Sequence, residues 1–399
     1  MIVRKHWVTC HCYAGLLVML LLLVNALTGS LITFAHEIDA WLNPTLLRTG
    51  HVLPALPADV LIERVEHADR RYRIGLFPLD VQAGESAELR VLPRIDPATG
   101  KPYVLGFDRV FIDPATGAVL GQRQWGALKL DRVHLMTFLD MLHRKFHLPG
   151  QWGMWLTGGV AIVWLLLSLL GAWLTLPKMA TWHKGFWQRW KPAWQIKRGA
   201  SSVRTTFDLH RSAGLWSLPV ALMLAISGVY FSLGNEVFRP VVRWFSPITP
   251  HPVQSLPKRV GPPVAPAFST QAAVARARHY LPPEARDFLP WYASHIPQLG
   301  SYRIAFKEDG MRERVWQLRY EQVFINDQTG ELQGMTGYDS GSAGDRFLIW
   351  QYPLHTGRIL GLWGRVLVFA AGIVTVLLCV TGLMVWWQRR RVPQRVAQR

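Results

Sequence analysis

Four apolar runs constrain this chain more than any other feature. Tyr13 to Ala35, Trp152 to Leu176, Leu215 to Leu233 and Gly361 to Trp387 are nearly free of charge, and a helix needs about 20 such residues to cross a bilayer. They predict four transmembrane helices. The first run follows Arg4, Lys5 and His6, as a secretory signal would. It is longer than an h-region, however, and lacks a small-x-small cleavage site before His36, so it is expected to remain as a helix.

Charge sets the expected orientation. Lys178 to Arg204 carries Lys178, Lys184, Arg189, Lys191, Lys197, Arg198 and Arg204 with no acid, and the tail QRRRVPQRVAQR is equally basic. Short loops rich in Lys and Arg stay cytoplasmic, which puts both termini and the middle loop inside and the two long segments outside. The net charge of +18 then reflects topology and attraction to the lipid bilayer's anionic headgroups, and no nucleic-acid partner is invoked. The aromatic loop WHKGFWQRWKPAW (Trp182 to Trp194) reads as an interfacial belt. Cys10, Cys12 and Cys379 lie in or beside the apolar runs, so the outer segments fold without disulfides, and TCHC lacks the C-x-x-C-H spacing of covalent haem. No Walker loop and no G-x-G-x-x-G after a strand is present, which leaves no recognisable site for NAD, flavin or ATP.

The chain also matches itself. At an offset of 199, His11 meets His210, Ala14 meets Ala213, Gly15 meets Gly214, Gly29 meets Gly228 and Glu37 meets Glu236. Near an offset of 211 to 213, VFIDPATGAVLG (Val110 to Gly121) meets VFINDQTGELQG (Val323 to Gly334), His143 meets His355, Gly153 meets Gly364 and Gly171 meets Gly382. Two tandem repeats of helix, outer domain and helix follow, parallel about an axis along the membrane normal. Each outer domain is expected to be a small α+β unit. Amphipathic helix patterns lie around Pro57 to Tyr72 and Ser269 to Leu281, while AELRVLPRI, YRIAFK and VWQLRYEQVFI alternate as strands. DPATG at Asp96 and Asp113 and NDQTG at Asn326 are turn sequences. The expected fold class is a membrane protein with a four-helix transmembrane bundle built from two tandem repeats, each carrying an external α+β domain. Its segments are a first span (1–36), an outer domain (37–130), an interfacial helix with the second span (131–177), an inner loop (178–206), a third span (207–235), a second outer domain (236–342), an interfacial segment with the fourth span (343–388) and a tail (389–399).

Histidines at matched positions carry the candidate chemistry. The repeat places His11 with His210 near the inner face and His143 with His355 near the outer face. Two neutral imidazoles facing across a bundle are what a six-coordinate haem iron requires. Gly15 and Gly214, one turn after their histidines, would let a planar macrocycle or a neighbouring helix approach the backbone. Zinc would want four clustered ligands, and none lie within helical reach of either pair. His134 and His147 crowd His143, so the outer ligand stays open among the three, and Pro149 with Gly150 is expected to end the interfacial helix. Arg144 and Arg211 each follow a candidate ligand and offer forked donors for haem propionates or headgroups. His36, which Asn235 replaces in the second half, is a candidate for a local role at the outer face.

At LHR (Leu142 to Arg144), DLHRSAGLW (Asp208 to Trp216), PLHTGRILGLWGR (Pro353 to Arg365) with VTGLMVWW after it, and HEID (His36 to Asp39), the chain resembles the PepSY-associated transmembrane family of bacterial inner-membrane proteins over nearly its whole length. The resemblance implies PepSY-like periplasmic domains, two b-type haems and reduction of ferric siderophores, with an electron donor, a quinol or a redox partner, left unspecified. Carried over by motif, His143 and His210 match LHR and His355 matches LHTG. Cys12 follows His11 where the family has Arg, which removes a propionate partner there. The expected chemistry is one-electron reduction of Fe(III) in a chelate at the periplasmic face, releasing Fe(II), which hard oxygen chelators hold weakly. From His11 to the level of Glu37 is 26 residues, roughly 39 Å of helix, long for a single electron step. The rival class is a cofactor-free membrane-anchored binding or regulatory protein of the cell envelope. A transporter fits less well, because midplane polar residues are scarce.

Overall fold

A computed structural model of the chain describes residues 2–50, 52, 54–177, 185–261, 264–310 and 319–396, the side chains of 2, 3 and 391–396 excepted. Its helices in chain order are α1 (Ile2–Ile32), α2 (Ala35–Leu42), α3 (Pro44–Leu47), α4 (Ala58–Ala68), α5 (Leu135–Lys145), α6 (Trp152–Thr175), α7 (Phe186–Trp190), α8 (Ser202–Ser232), α9 (Arg239–Arg243), α10 (Pro252–Ser255), α11 (Thr270–Arg278), α12 (Ala343–Thr356) and α13 (Gly361–Val396). The chain divides into two compact units. Met1–Phe34, Leu139–Pro240 and Gln351–Arg399 form a helical bundle, and Ala35–Phe138 with Val241–Trp350 form a sheet unit.

In the bundle, four helical segments are long and apolar enough to cross a membrane: Arg4–Ile32, Trp152–Thr175, Ser202–Ser232 and Arg358–Arg390. α1 packs on α6 and α13, and α8 packs on the same two, closing a ring. Leu17, Leu20, Leu166 and Trp173 stay exposed on its outer surface, as lipid-facing side chains do when the solvent is itself apolar. Hydropathy marks the lipid-crossing stretch and misses the helix ends. α8 begins at Ser202, well before the apolar run at Leu215, because the Ser201 hydroxyl caps it by accepting from the Arg204 N–H at 3.4 Å. α13 likewise runs on through the basic tail, since Gln and Arg propagate a helix well.

α1 and α8 begin, and α6 and α13 finish, at one end of the bundle, the near end. Arg4 reaches the Leu174 and Leu176 carbonyls there, and Arg390 donates to the Tyr13 hydroxyl at 3.2 Å. Trp187, Trp190, Trp194 and Trp216 form a chain of rings with centres 5.1 to 5.4 Å apart. Residues 178–184 of the aromatic loop, Trp182 among them, lie outside the described ones. At the far end α5 turns into α6 and α12 into α13. A Cβ at Gly153 would overlap the Lys145 carbonyl, and one at Gly364 the Gly357 carbonyl, so glycine is required at both knuckles. The break anticipated at Pro149 and Gly150 falls earlier. α5 ends at Lys145, and Phe146 and His147 take φ of 52° and 55°.

The sheet unit holds β1 (Tyr72–Pro78), β2 (Ala87–Pro93), β3 (Arg109–Ile112), β4 (Val119–Arg123), β5 (Leu289–Ile296), β6 (Ser301–Lys307), β7 (Tyr320–Asn326) and β8 (Leu332–Gly337). Every neighbouring pair is antiparallel, in the order β4-β3-β2-β1-β5-β6-β7-β8. The two long segments thus share one sheet, joined where Phe77 faces Ala293 and Pro78 faces Tyr292. α4 lays Leu61 and Val65 on Leu89, Val110 and Ile112, and α11 lays Ala273 and Ala277 on Ile304, Phe306, Val323 and Ile325. Burial of these apolar faces, at about 25 cal/mol per Å², is the main force holding each half. The turn sequences work as side-chain chemistry predicts. Asp113 accepts from the Ala115 N–H at 2.9 Å and Asn326 from the Gln328 N–H at 2.8 Å, each turn closed by a glycine at positive φ. The helix expected to reach Tyr72 stops at Ala68, because Tyr72 opens a strand. Residues 315–318 of the third strand stretch lie outside the described ones.

Candidate functional site

The bundle brings four imidazoles together in two pairs. His11 on α1 and His210 on α8 have ring centres 6.5 Å apart at the near end, and His143 on α5 and His355 on α12 have centres 6.2 Å apart toward the far end. The ring planes cross at 78° and 58°. The second pair sits inside the bundle. His143 meets the Asn25 carbonyl at 3.0 Å and Thr28 at 3.2 Å, and His355 meets Ser227 at 2.8 Å. Its level on α1 is therefore near Thr28, 17 residues beyond His11, or about 26 Å of helix. That is a shorter separation than the level of Glu37 would give.

Each imidazole presses its Nδ1 side against a neighbouring span. The hydroxyls it meets have already committed their protons. Thr28 Oγ1 donates to the Val24 carbonyl, Ser227 Oγ to that of Met223 and Thr381 Oγ1 to that of Leu377, each at 2.7 Å. Those oxygens can then only accept from an imidazole. The contacts Thr28–His143 at 3.2 Å, Ser227–His355 at 2.8 Å and Thr381–His210 at 3.0 Å place the proton on Nδ1 and leave an unprotonated lone pair on Nε2. Among the described residues no hydrogen bond is formed by the Nε2 of any of the four histidines. A glycine completes three of the contacts. A Cβ at Gly29 would lie 2.9 Å from His143 Cε1, at Gly171 3.1 Å from His11 Cε1 and at Gly382 3.2 Å from His210 Cε1.

A family model for the PepSY-associated TM region matches residues 8–389. The chain belongs to the PepSY-associated transmembrane family. No curated protein matches it at a significant level. The family match spans all four histidines and the spans that back them.

In this PepSY-associated protein the remaining candidates fall in different places. Gly15 has no heavy atom within 4 Å of a built Cβ, and Gly214 meets only Leu378 at 3.7 Å, so neither glycine is demanded by helix packing. Arg211 is held by the buried Asp208 at 2.8 Å and the Pro192 carbonyl at 2.7 Å. Asp208 also takes Arg204 at 3.0 Å. Arg144 is exposed and 3.6 Å from Asp140. His36 and His134 lie in the sheet unit, against Glu85 at 3.0 Å and Asp131 at 2.8 Å. His147 occupies the turn after α5. Asp39 of the HEID stretch is buried, accepting from Asn43 and Arg123 at 2.7 Å each. Among the described residues, no three or more His, Cys, Asp or Glu side chains are grouped as a bare metal ion would need.

Sequence reasoning missed the hydroxyls. Thr28, Ser227 and Thr381 each precede a glycine within an apolar span, in NALTG, LAISG and LCVTG. That hydroxyl-glycine step, repeated in three spans, was the available signal. Only the fold reveals that each one faces an imidazole from another helix.

Proposed function

We propose that the protein is an inner-membrane electron-transfer protein that holds two b-type haems and reduces ferric iron in siderophore-type chelates at the periplasmic face. The spacing of the imidazole pairs carries this reading. Metal–imidazole bonds of about 2.0–2.1 Å, with roughly 1.1 Å from each nitrogen to its ring centre, would put two imidazoles that share one metal about 6.3 Å apart. The pairs stand at 6.5 and 6.2 Å, and among the described residues no Nε2 of the four forms a hydrogen bond. His11 with His210, and His143 with His355, would hold the two haems, and open space beside Gly15 gives a flat group room.

When bound, the haems would supply reversible one-electron chemistry, the kind needed to reduce Fe(III) in a chelate to the weakly held Fe(II) at the expense of a quinol or a reduced partner protein. The chain's own residues fix the tautomers of His143, His210 and His355 and keep the spans close through glycine. Thr28 and Ser227 stand at the same offset as His11 and His210, in keeping with the repeat read from the sequence. The basic near end is read as cytoplasmic on the positive-inside tendency.

The test is a visible spectrum of the detergent-purified protein before and after dithionite, with a pyridine haemochrome count. About two haems per chain are expected, and His210→Ala or His355→Ala should each remove about one. Full haem content in both variants would overturn the ligand assignment. A colourless protein, even with haem supplied during expression, would favour a cofactor-free binding protein.

A further inference from the structure

Three of the four imidazoles share a backing that the fourth lacks. A helix carbonyl and, three residues on, a hydroxyl face His143 from Asn25 and Thr28, His355 from Leu224 and Ser227, and His210 from Leu378 and Thr381. A glycine follows each hydroxyl. Opposite His11 the stretch is LSLLG, Leu167 to Gly171, with Leu170 at the hydroxyl position. His11 Nδ1 is buried with no hydrogen-bond partner of good geometry, although the Leu167 carbonyl lies beside it.

The missing hydroxyl has two consequences. An acceptor at Nδ1 fixes the rotation of the ring and raises the basicity of Nε2, and losing such a partner typically costs about 10–100-fold in metal affinity. Leu170 can do neither. The helix beside His11 is also less crowded, since Gly15 meets nothing within 4 Å where Gly214 meets Leu378 at 3.7 Å.

We propose that Leu170 makes His11 the displaceable ligand of the four, so that the near-end pair admits a small neutral ligand of the diatomic class on the His11 side while the far-end pair stays closed. Thr28, Ser227 and Thr381 are positioning residues that keep the other three imidazoles in place. The inference rests on the haem reading of the site and assigns the two pairs different roles, one open to exchange and one confined to electron transfer.

Carbon monoxide titration of the dithionite-reduced, haem-loaded full chain, followed in the Soret band, tests it. About half of the haem should bind carbon monoxide in the unsubstituted protein. Leu170→Thr, whose hydroxyl can bond back to the Leu166 carbonyl as Thr381 does to Leu377, should weaken that binding by about tenfold or more. Thr28→Val should raise the reactive fraction toward all of the haem. Haem-replete protein that binds no carbon monoxide, or Leu170→Thr with unchanged affinity, overturns the proposal and leaves the haem reading intact. No haem in the pyridine haemochrome count overturns both. Should Leu170→Thr not fold, Thr28→Val alone decides, because an unchanged fraction there removes the role given to the hydroxyls.

Discussion

In the sheet unit, His295 commits Nε2 to Asp327 at 3.0 Å, and the same carboxylate takes Arg259 at 2.8 Å. In the bundle, the Nε2 atoms of His11, His210, His143 and His355 meet no protein partner among the described residues. Both regions bury polar groups beside apolar cores and both close ion-pair networks, Asp208 with Arg204 and Arg211 in the bundle among them, but the bundle imidazoles stand outside any such network. Asp39 accepts from Arg123 and Asn43, and Asp327 from Arg259 and His295. A histidine in such a network holds structure. His36 and His295 commit Nε2 to a carboxylate, whereas the Nε2 of each of the four bundle histidines forms no hydrogen bond among the described residues, and under the proposed function that open nitrogen is the one a ligand would take.

The contrast breaks most visibly at the closed networks. Arg123→Ala leaves the buried Asp39 carboxylate without its cation, and should destabilise the sheet unit by about 3–5 kcal/mol. Hydrogen exchange in β3 and β4 would report the loss, and the absorption spectrum of the bundle should be unchanged. Gly29→Ala places a Cβ 2.9 Å from His143 Cε1 and should cost about 1–3 kcal/mol as overpacking. Thermal unfolding measures the cost, and under the proposed function haem content should fall at the far-end pair alone.

The pH dependence sharpens the comparison at His295. Burial pushes its imidazole below the ordinary range, against the pull of Asp327 and with a lesser push from Arg73 and Arg259. The unfolded state therefore binds the proton more readily, so this contribution is complete above about pH 6.5 and is lost as pH falls through the depressed folded value. Burial also opposes ionisation of Asp327, but its bonds from Arg259 and His295 prevail and hold its pKa low, which confines its own loss to below about pH 4. Glu321, raised by burial, runs the opposite way. The readout is thus the difference between the unsubstituted protein and His295→Gln, with a flatter stability profile between pH 4 and 6.5, as bounded by the reference values of about 3.9 and 6.5, expected for the variant. Smallest of all, Gly15→Ala meets no neighbour and should stabilise the ligand-free helix by about 0.5–1 kcal/mol in a thermal scan.

Much of the architecture was legible because lipid imposes a length and a composition on each span. The four runs, the turn at Asp113 and the helices at Ala58 and Thr270 are local signals, read through periodicity and side-chain turn chemistry. The matched histidines could be paired from the repeat alone. The helix starts at Ser202 and the early end of α5 at Lys145 were not legible, because capping and positive-φ turns leave hydropathy unchanged. Arg211, read as a donor for propionates or headgroups, also meets Asp208 and the Pro192 carbonyl, contacts that the motif alone does not show.

The sequence by itself determined four apolar spans and two basic segments, since each depends on residues close in the chain, and comparison of the chain with itself matched the histidines. Tertiary structure alone decided that the two long segments share one sheet through β1 and β5, that His143 drops to the level of Thr28, and that Leu170 stands where the other spans carry a hydroxyl against an imidazole. Strand partners, ring depth and proton position depend on contacts between residues more than a hundred positions apart, and no local pattern encodes which of them will meet.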